Sequence, residues 1–487
     1  MNMAVRILEW PTEAADAFPL ALWDASSIAL ATGGTASTFF QTAGADIDSR
    51  DVTEGDLFFA LKGEAMDGHR FVPMAFDKGA AAVVVDRPVD GPHVLVEDTT
   101  EALIALARAA RARVDAKIIG VTGSVGKTGV KEAIFAALDR ASRGKAHRSV
   151  KSYNNHIGVP LSLARMPARS KFGIFELGMN HAGEIAALTR LVRPHVAVIT
   201  TIAPAHIEML GSEEAIADAK AEIFGGLEPG GVAVIPSDSP HYPRLLAAAR
   251  AAGAQVVSFG KAVGSSVRLL DAVPAPGGGS LVTADLGDRR LCYTVSAPGE
   301  HWVTNSLAVM AAVRAVGGDL GAAGLALAEL EGLKGRGERH VLKTRDGGTA
   351  LLIDESYNAN PASMRATLAQ LGVTQAKRRI AVLGAMKELG DHGPAFHAAL
   401  VEPIMGAKVD HLILVGDEMR ALADELGKVV AGPLGNGLPF AHCPNATTAL
   451  QALRELGVEG GDAILVKGSN SVGLGAVVAA LAANNKE

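Results

Sequence analysis

The chain has 487 residues, of which 48% are hydrophobic and only 4% aromatic, with 55 glycines and a formal net charge of −6. The length leads to about three domains, and the glycine-rich, aromatic-poor composition to an α/β enzyme with many strand-to-helix turns. The acidic balance gives no electrostatic reason to expect nucleic acid or an anionic membrane as a partner, and no apolar run approaches the ~18 residues of a membrane span.

Met1 to Ala14 carries no basic region followed by an apolar core, so no signal peptide is read there. Cys292 and Cys443 match no metal-ligand spacing. They read as free thiols of a reducing compartment, and a cytoplasmic protein is expected.

Short apolar runs at Leu57–Leu61, Ala82–Val85 and His93–Val96 predict strands in a first block. A helical pattern, Glu101 to Val114, follows. The second block alternates strand candidates (Ile118–Ile119, Phe172–Phe175, Val196–Ile202, Val232–Ile235) with helical periodicity that reappears at Asn305–Val316. Ala272 to Gly279 reads as an insertion or exposed hairpin. A third block, after the Gly/Lys/Arg-rich stretch 332–339, has strand candidates at Leu351–Ile353, Ile380–Leu383, Leu412–Val415 and Ile464–Val466. Such alternation predicts parallel sheets covered on both faces. The expected boundaries are 1–106, 107–332 and 333–487.

Residues 116–131 carry the most specific signal. A strand leads into glycines at 120, 123 and 126, then Lys127 and Thr128 open a helix with apolar residues at Val130, Ile134 and Leu138. This is the recipe for holding a nucleoside triphosphate: glycines let backbone N–H groups close around phosphate oxygens, the lysine reaches the outer phosphates and the hydroxyl holds Mg²⁺. The general pattern has a glycine where Val121 stands, so this loop is a narrower variant.

Ligands of open parallel sheets bind beyond the carboxyl ends of the strands. Glu176 ends one run and reads either as a Mg²⁺ ligand or as a capping, ion-paired glutamate. His206 follows another; a lone histidine there is more often structural than a ligand. Lys220 lies on an amphipathic helix, where periodicity favours the surface. Asn154-Asn155 read as a loop, and 354–361 (Asp-Glu-Ser-Tyr-Asn-Ala-Asn-Pro) as a helix cap that can also carry function.

Taken together, these motifs resemble the Mur ligase superfamily, ATP-dependent amide-forming enzymes of three domains, and within it the MurF branch. The resemblance spans essentially the whole chain. It rests on Asp48-Ser49-Arg50, Gly55 to Gly63 and Asp67-Gly68-His69; on the Thr-Gly-Ser-x-Gly-Lys-Thr loop with Asn154, Asn155, Glu176, His206 and Lys220; and on 354–361, Met386 to Gly390 and Val466 to Ser469. It implies a small N-terminal α/β domain for a UDP-sugar peptide, a central P-loop-type parallel sheet for ATP, and a C-terminal Rossmann-like domain for the incoming amino compound.

By the same resemblance, Gly123, Ser124, Gly126, Lys127, Thr128, Asn305 (adenine), Arg336 (outer phosphate) and Asp354 (ribose) would bind ATP. Thr128, Glu176, His206 and Lys220 would serve two Mg²⁺ ions, with Lys220 carbamylated. Ser49, Arg50, Lys62, Asn154, Asn155, Tyr357, Asn358 and Asn360 would contact substrates, and Lys127, Lys220, His206 and Arg336 would be catalytic. Glu355, Asn470 and Gly337-Glu338-Arg339 depart from the family pattern.

The implied reaction activates UDP-N-acetylmuramoyl-tripeptide as an acyl phosphate and joins it to D-alanyl-D-alanine, in a monomer that closes over its substrates. The alternatives are a MurE-type ligase adding a diamino acid, a folylpolyglutamate-synthase-like ligase, and a non-catalytic nucleotide-binding protein.

Overall fold

In a computed structural model, residues 21–63, 66–205, 207–275, 279–431 and 438–483 are described. His206 and the Met1 to Ala14 segment lie outside them. The chain forms two compact units: Met1–Val114 with Pro160–Arg169, and Asp115–Val159 with Ser170–Glu487. No helix among the described residues is long and apolar enough to cross a membrane.

The first unit is built on a five-stranded sheet. Its order is Thr35–Ala36, His93–Leu95, Ala82–Val85, Asp56–Phe59, Gly44–Asp46, parallel except at the first pair. Asp56–Phe59 and Ala82–Val85 are buried throughout, as strands covered on both faces must be. Asp98 opens the helix Thr99–Ala112 by accepting the N–H groups of Thr100 and Glu101. The inclusion of residues 160–169 is not foreshadowed by composition. Trp23 Nε1 donates to Ala164 O at 2.8 Å, Arg165 pairs with Asp46, and the Arg113 guanidinium lies 3.4 Å from the Trp23 ring centroid while donating to Met166 O.

The second unit holds two sheets. The larger has nine strands, in the order Arg290–Val295, Ser280–Asp285, Val267–Pro274, Gln255–Gly260, Val232–Pro236, Val196–Ile199, Lys117–Thr122, Phe172–Glu176, Ala146–Arg148. From Val267–Pro274 to Ala146–Arg148 the pairs are parallel, and helices pack on both faces. The two outermost pairs are antiparallel hairpins, 267–274 with 280–285 and 280–285 with 290–295; the first confirms the expected hairpin around Ala272 to Gly279. Its apolar residues, interrupted by Arg268, Asp271 and Thr283, lack the continuous runs that reveal the buried parallel strands.

The second sheet has six strands, Glu338–Lys343, Thr349–Glu355, Ala463–Lys467, Arg379–Gly384, His411–Val415, Phe440–Cys443. Only its first strand is antiparallel. This is the Rossmann-like arrangement expected of the C-terminal part. The carboxyl ends of Lys117–Thr122, Phe172–Glu176, Thr349–Glu355 and Ala463–Lys467 all contribute residues to one cavity.

Candidate active site

The strand Lys117–Thr122 runs into Gly123, and the helix Lys127–Ser142 starts after Gly126. Gly123 and Gly126 have φ of 147° and 87°, values costly for any side chain. Space forbids one as well: a Cβ on Gly123 would stand 1.9 Å from Thr200 Oγ1, and one on Gly126 3.0 Å from Asn305 Nδ2. Val121, by contrast, is wholly buried and continues the strand. The turn is pinned from the next strand: Ser124 N–H donates to Thr201 O at 2.9 Å and its hydroxyl to Ala203 O at 2.9 Å. The helix N-terminus, with its unpaired N–H groups and positive dipole end, therefore faces a fixed loop.

Lys127 Nζ donates to Gly123 O at 2.7 Å. Burial holds this ammonium below its ordinary pKa; the Glu176 carboxylate opposes that shift and the Arg336 charge adds to it. Thr128 Oγ1 donates to Glu176 Oε2 at 2.8 Å, and Asn154 Nδ2 to Glu176 Oε1 at 2.8 Å. Glu176 is fully buried, and both oxygens of its carboxylate are held by these partners.

Lys220 is 1% exposed. The surface position favoured by helical periodicity is thus corrected: its face of the helix Glu213–Ala221 turns inward. Burial, and then the charge of Lys127, push its pKa well down.

Of these groups, Lys127, Asn154 and Glu176 border a cavity of about 250 Å³, while Thr128 and Lys220 lie outside its lining. Asn305, Trp302 and His301 reach it from the helix Glu300–Ala315, and Arg336, Tyr357, Asn358, Asn360 and Lys467 from the C-terminal sheet. Arg336 stacks 4.4 Å from the Tyr357 ring centroid and donates to Ser152 Oγ at 3.4 Å. Asn360 also caps the helix Pro361–Val373, accepting Ser363 N–H at 2.9 Å, so its cap reading holds in a residue that also lines the cavity. A wider groove of about 1230 Å³ shares His301 but contains no phosphate-loop residue.

Asp354, expected near a ribose, is not among the lining residues. Its Oδ2 accepts Gly335 N–H at 3.0 Å and its Oδ1 the N–H and hydroxyl of Ser356 at 3.0 and 2.6 Å. Glu355, the next residue and so on the opposite face of the strand, lines the cavity instead, with Oε2 3.4 Å from Lys467 Nζ.

Asn155 is exposed and caps a turn, accepting the N–H groups of Ile157 and Gly158. In the N-terminal unit, Arg50 makes a two-pronged pair with Asp48, Ser49 is buried against Met74 Sδ at 3.3 Å, and Lys62 is exposed. Lys467 and Trp302 were not singled out as site residues from sequence. The end-of-strand rule that exposed Glu176 applies equally to Lys467; Trp302 has no such signal.

Comparison with known proteins follows the same outline. Three family models match in order: Mur ligase family, catalytic domain, over residues 42–116; Mur ligase middle domain over 121–313; and Mur ligase, glutamate ligase domain over 335–470. The chain is 39% identical to the UDP-N-acetylmuramoyl-tripeptide–D-alanyl-D-alanine ligase of Synechocystis, covering 90% of this chain and 91% of that one. It is 34% identical to the enzyme of the same name from Escherichia coli, covering 90% and 93%.

Among solved structures, MurF from Acinetobacter baumannii superposes with a TM-score of 0.80 at 30% identity, covering 96% of this chain and all of that one. MurF from Thermotoga maritima in complex with ADP gives 0.72 at 25%, covering 91% and 98%. With all three domain models matched in sequence order and this similarity sustained along its length, the chain belongs to the Mur ligase family, in its MurF branch.

Proposed function

We infer that the protein is an ATP-dependent amide ligase that joins D-alanyl-D-alanine to UDP-N-acetylmuramoyl-tripeptide in peptidoglycan precursor synthesis. The observation that carries the chemistry is the meeting of Lys127, Glu176 and Arg336 around one cavity built by the phosphate loop and the C-terminal sheet, with Thr128 hydrogen-bonded to Glu176.

Lys127 and Arg336 supply fixed positive charge for the phosphate oxygens. Positioning and charge neutralisation are most of what phosphoryl transfer asks of a protein. Arg336 is held by Tyr357 and Ser152, so its planar guanidinium is oriented before substrate arrives. Asn305 sits against Gly126 at the base of the loop, in keeping with a nucleotide lying along this helix end. In place of Asp354 we assign Glu355 to the ribose, because it is the carboxylate that lines the cavity.

The donor chemistry suits Mg²⁺. Thr128 and Glu176 present a hydroxyl and a carboxylate, the hard oxygen ligands that ion takes. Mg²⁺ held there would screen the phosphate charges and orient the terminal phosphoryl group. Lys220 suits carbamylation: only a neutral amine adds CO₂, and burial beside Lys127 favours the neutral form. The product would be an anionic oxygen ligand for a second ion.

The tripeptide carboxylate attacks the terminal phosphorus of ATP, ADP leaves, and an acyl phosphate forms. The neutral amine of D-alanyl-D-alanine then attacks the carbonyl, and phosphate leaves as the amide forms. We place the tripeptide substrate with Ser49, Arg50 and Lys62 of the N-terminal unit, and the acceptor with the C-terminal sheet.

Mass analysis of products from ATP, an equimolar mixture of the UDP-tripeptide and its dipeptide precursor, and an equimolar mixture of D-alanyl-D-alanine and a diamino acid tests the assignment. A product enlarged by one D-alanyl-D-alanine supports it. Incorporation of the single diamino acid into the dipeptide precursor would move the chain to the preceding ligase step.

A further inference from the structure

Lys131 lies one helical turn beyond Thr128, on the same side of the phosphate-loop helix. It is among the largest fully buried side chains of the protein, 0% exposed. A buried ammonium is tolerated only when its charge is paired and its three N–H donors find acceptors. Lys131 meets both conditions. Nζ donates to Ser149 O at 2.8 Å and Lys151 O at 3.1 Å, and pairs with Glu132 Oε1 at 2.9 Å.

Those two carbonyls belong to the segment that wraps Glu176. Ser149 Oγ accepts the Glu176 N–H at 3.2 Å, Asn154 O accepts Gly178 N–H at 2.8 Å, and the Asn154 amide holds the Glu176 carboxylate. Glu176 in turn accepts from Thr128, which closes a ring back to the helix that carries Lys131. Within this segment Lys151 adopts a left-handed φ of 53°. That conformation is costly for a non-glycine residue and persists only where its surroundings hold it.

We propose that Lys131 is a positioning residue of the nucleotide site: it fastens 149–154 to the phosphate-loop helix, and so sets the Glu176 carboxylate that serves Mg²⁺. The inference rests on the ATP and Mg²⁺ assignment above. Lys131 does not line the cavity, so its action on the ligand passes through Asn154 and Glu176.

The test is calorimetric titration of ADP into the full chain, with and without Mg²⁺, for the unsubstituted protein, Lys131→Met, Asn154→Ala and the double variant. Lys131→Met is expected to weaken Mg²⁺–ADP binding about tenfold, the scale at which outer-shell partners tune metal sites, and to leave metal-free ADP binding within about twofold. The double variant is expected to bind no worse than Asn154→Ala, since both act along one path.

A lowered melting temperature with Mg²⁺–ADP affinity unchanged, or losses that simply add, would overturn the proposal. Should Lys131→Met not fold, Lys131→Gln, which keeps two N–H donors, gives the same comparison with a smaller expected loss. Mg²⁺-independent ADP binding by the unsubstituted protein would instead overturn the reading beneath it.

Discussion

The ring of Trp302 fills the place where a side chain on Gly129 would stand: a Cβ there would lie 2.6 Å from Trp302 Cη2. Gly129 is the second residue after the loop lysine, on the helix whose first turn faces the cavity, and Trp302 borders that cavity. One small residue and one large one thus fit each other at the nucleotide site.

Gly129→Ala should therefore force the indole aside. Overpacking of this kind costs about 1–3 kcal/mol, and here the displaced group borders the nucleotide cavity. Lower thermal stability together with weaker ADP binding is expected, and Trp302→Leu in the same chain should restore part of both. Equal melting temperatures for Gly129→Ala and the unsubstituted protein would show that the ring moves freely.

The carboxylates at 354 and 355 should part company on substitution. Asp354→Ala removes the acceptor of three hydrogen bonds from a buried site; a loss of about 2–4 kcal/mol in denaturant unfolding is expected. Glu355→Gln, which keeps an acceptor oxygen beside the buried Lys467 ammonium, should disturb folding less than Asp354→Ala and should raise KM for ATP instead. Steady-state kinetics beside denaturation curves separates the two. The opposite pattern would return the ribose contact to Asp354.

Arg336→Lys keeps the charge but loses the planar stack on Tyr357 and the fixed aim of the guanidinium. A fall in kcat of about 10- to 100-fold with little change in melting temperature is expected, as for loss of an oriented charge that acts in the transition state. Full activity in the lysine variant would mean that charge alone suffices there.

His301 carries the clearest pH signature. Burial, and then the Lys467 charge, lower its pKa to about 4. In the unfolded chain the value is about 6.5, so as pH falls the unfolded state takes up the proton first. Stability is unaffected above about pH 6.5, declines between there and about pH 4, and levels off below. At pH 5 the loss is about 2 kcal/mol. Melting curves at pH 7 and pH 5 should converge on each other more closely for His301→Gln than for the unsubstituted protein.

Much of the scaffold was legible because buried parallel strands announce themselves. Ala82–Val85 and Phe172–Phe175 are unbroken apolar runs bounded by turns, and the structure ends the second one residue later, at Glu176. The strand Gln255–Gly260 and the antiparallel 280–285 and 290–295 were not read, since polar residues break their apolar stretches into runs of two or three and the strands are partly exposed. At the site, glycine spacing revealed the loop because only glycine fits beside Thr200 and Asn305.

Two buried positions were hidden for a shared reason. Lys131 and Lys220 sit at helical positions where a lysine reads as solvated, and only tertiary packing reveals that each is buried. The choice between Asp354 and Glu355 depends on strand facing, which adjacent acids cannot disclose. His206 lies outside the described residues, so its expected metal role stands as part of the proposal.

Phosphate release from ATP, measured with UDP-N-acetylmuramoyl-tripeptide alone, with D-alanyl-D-alanine alone and with both, addresses the ligase assignment most directly. Sustained release only when both are present, abolished in Lys127→Ala, is the predicted result. Sustained release that ignores D-alanyl-D-alanine, or turnover undiminished in Lys127→Ala, would contradict it.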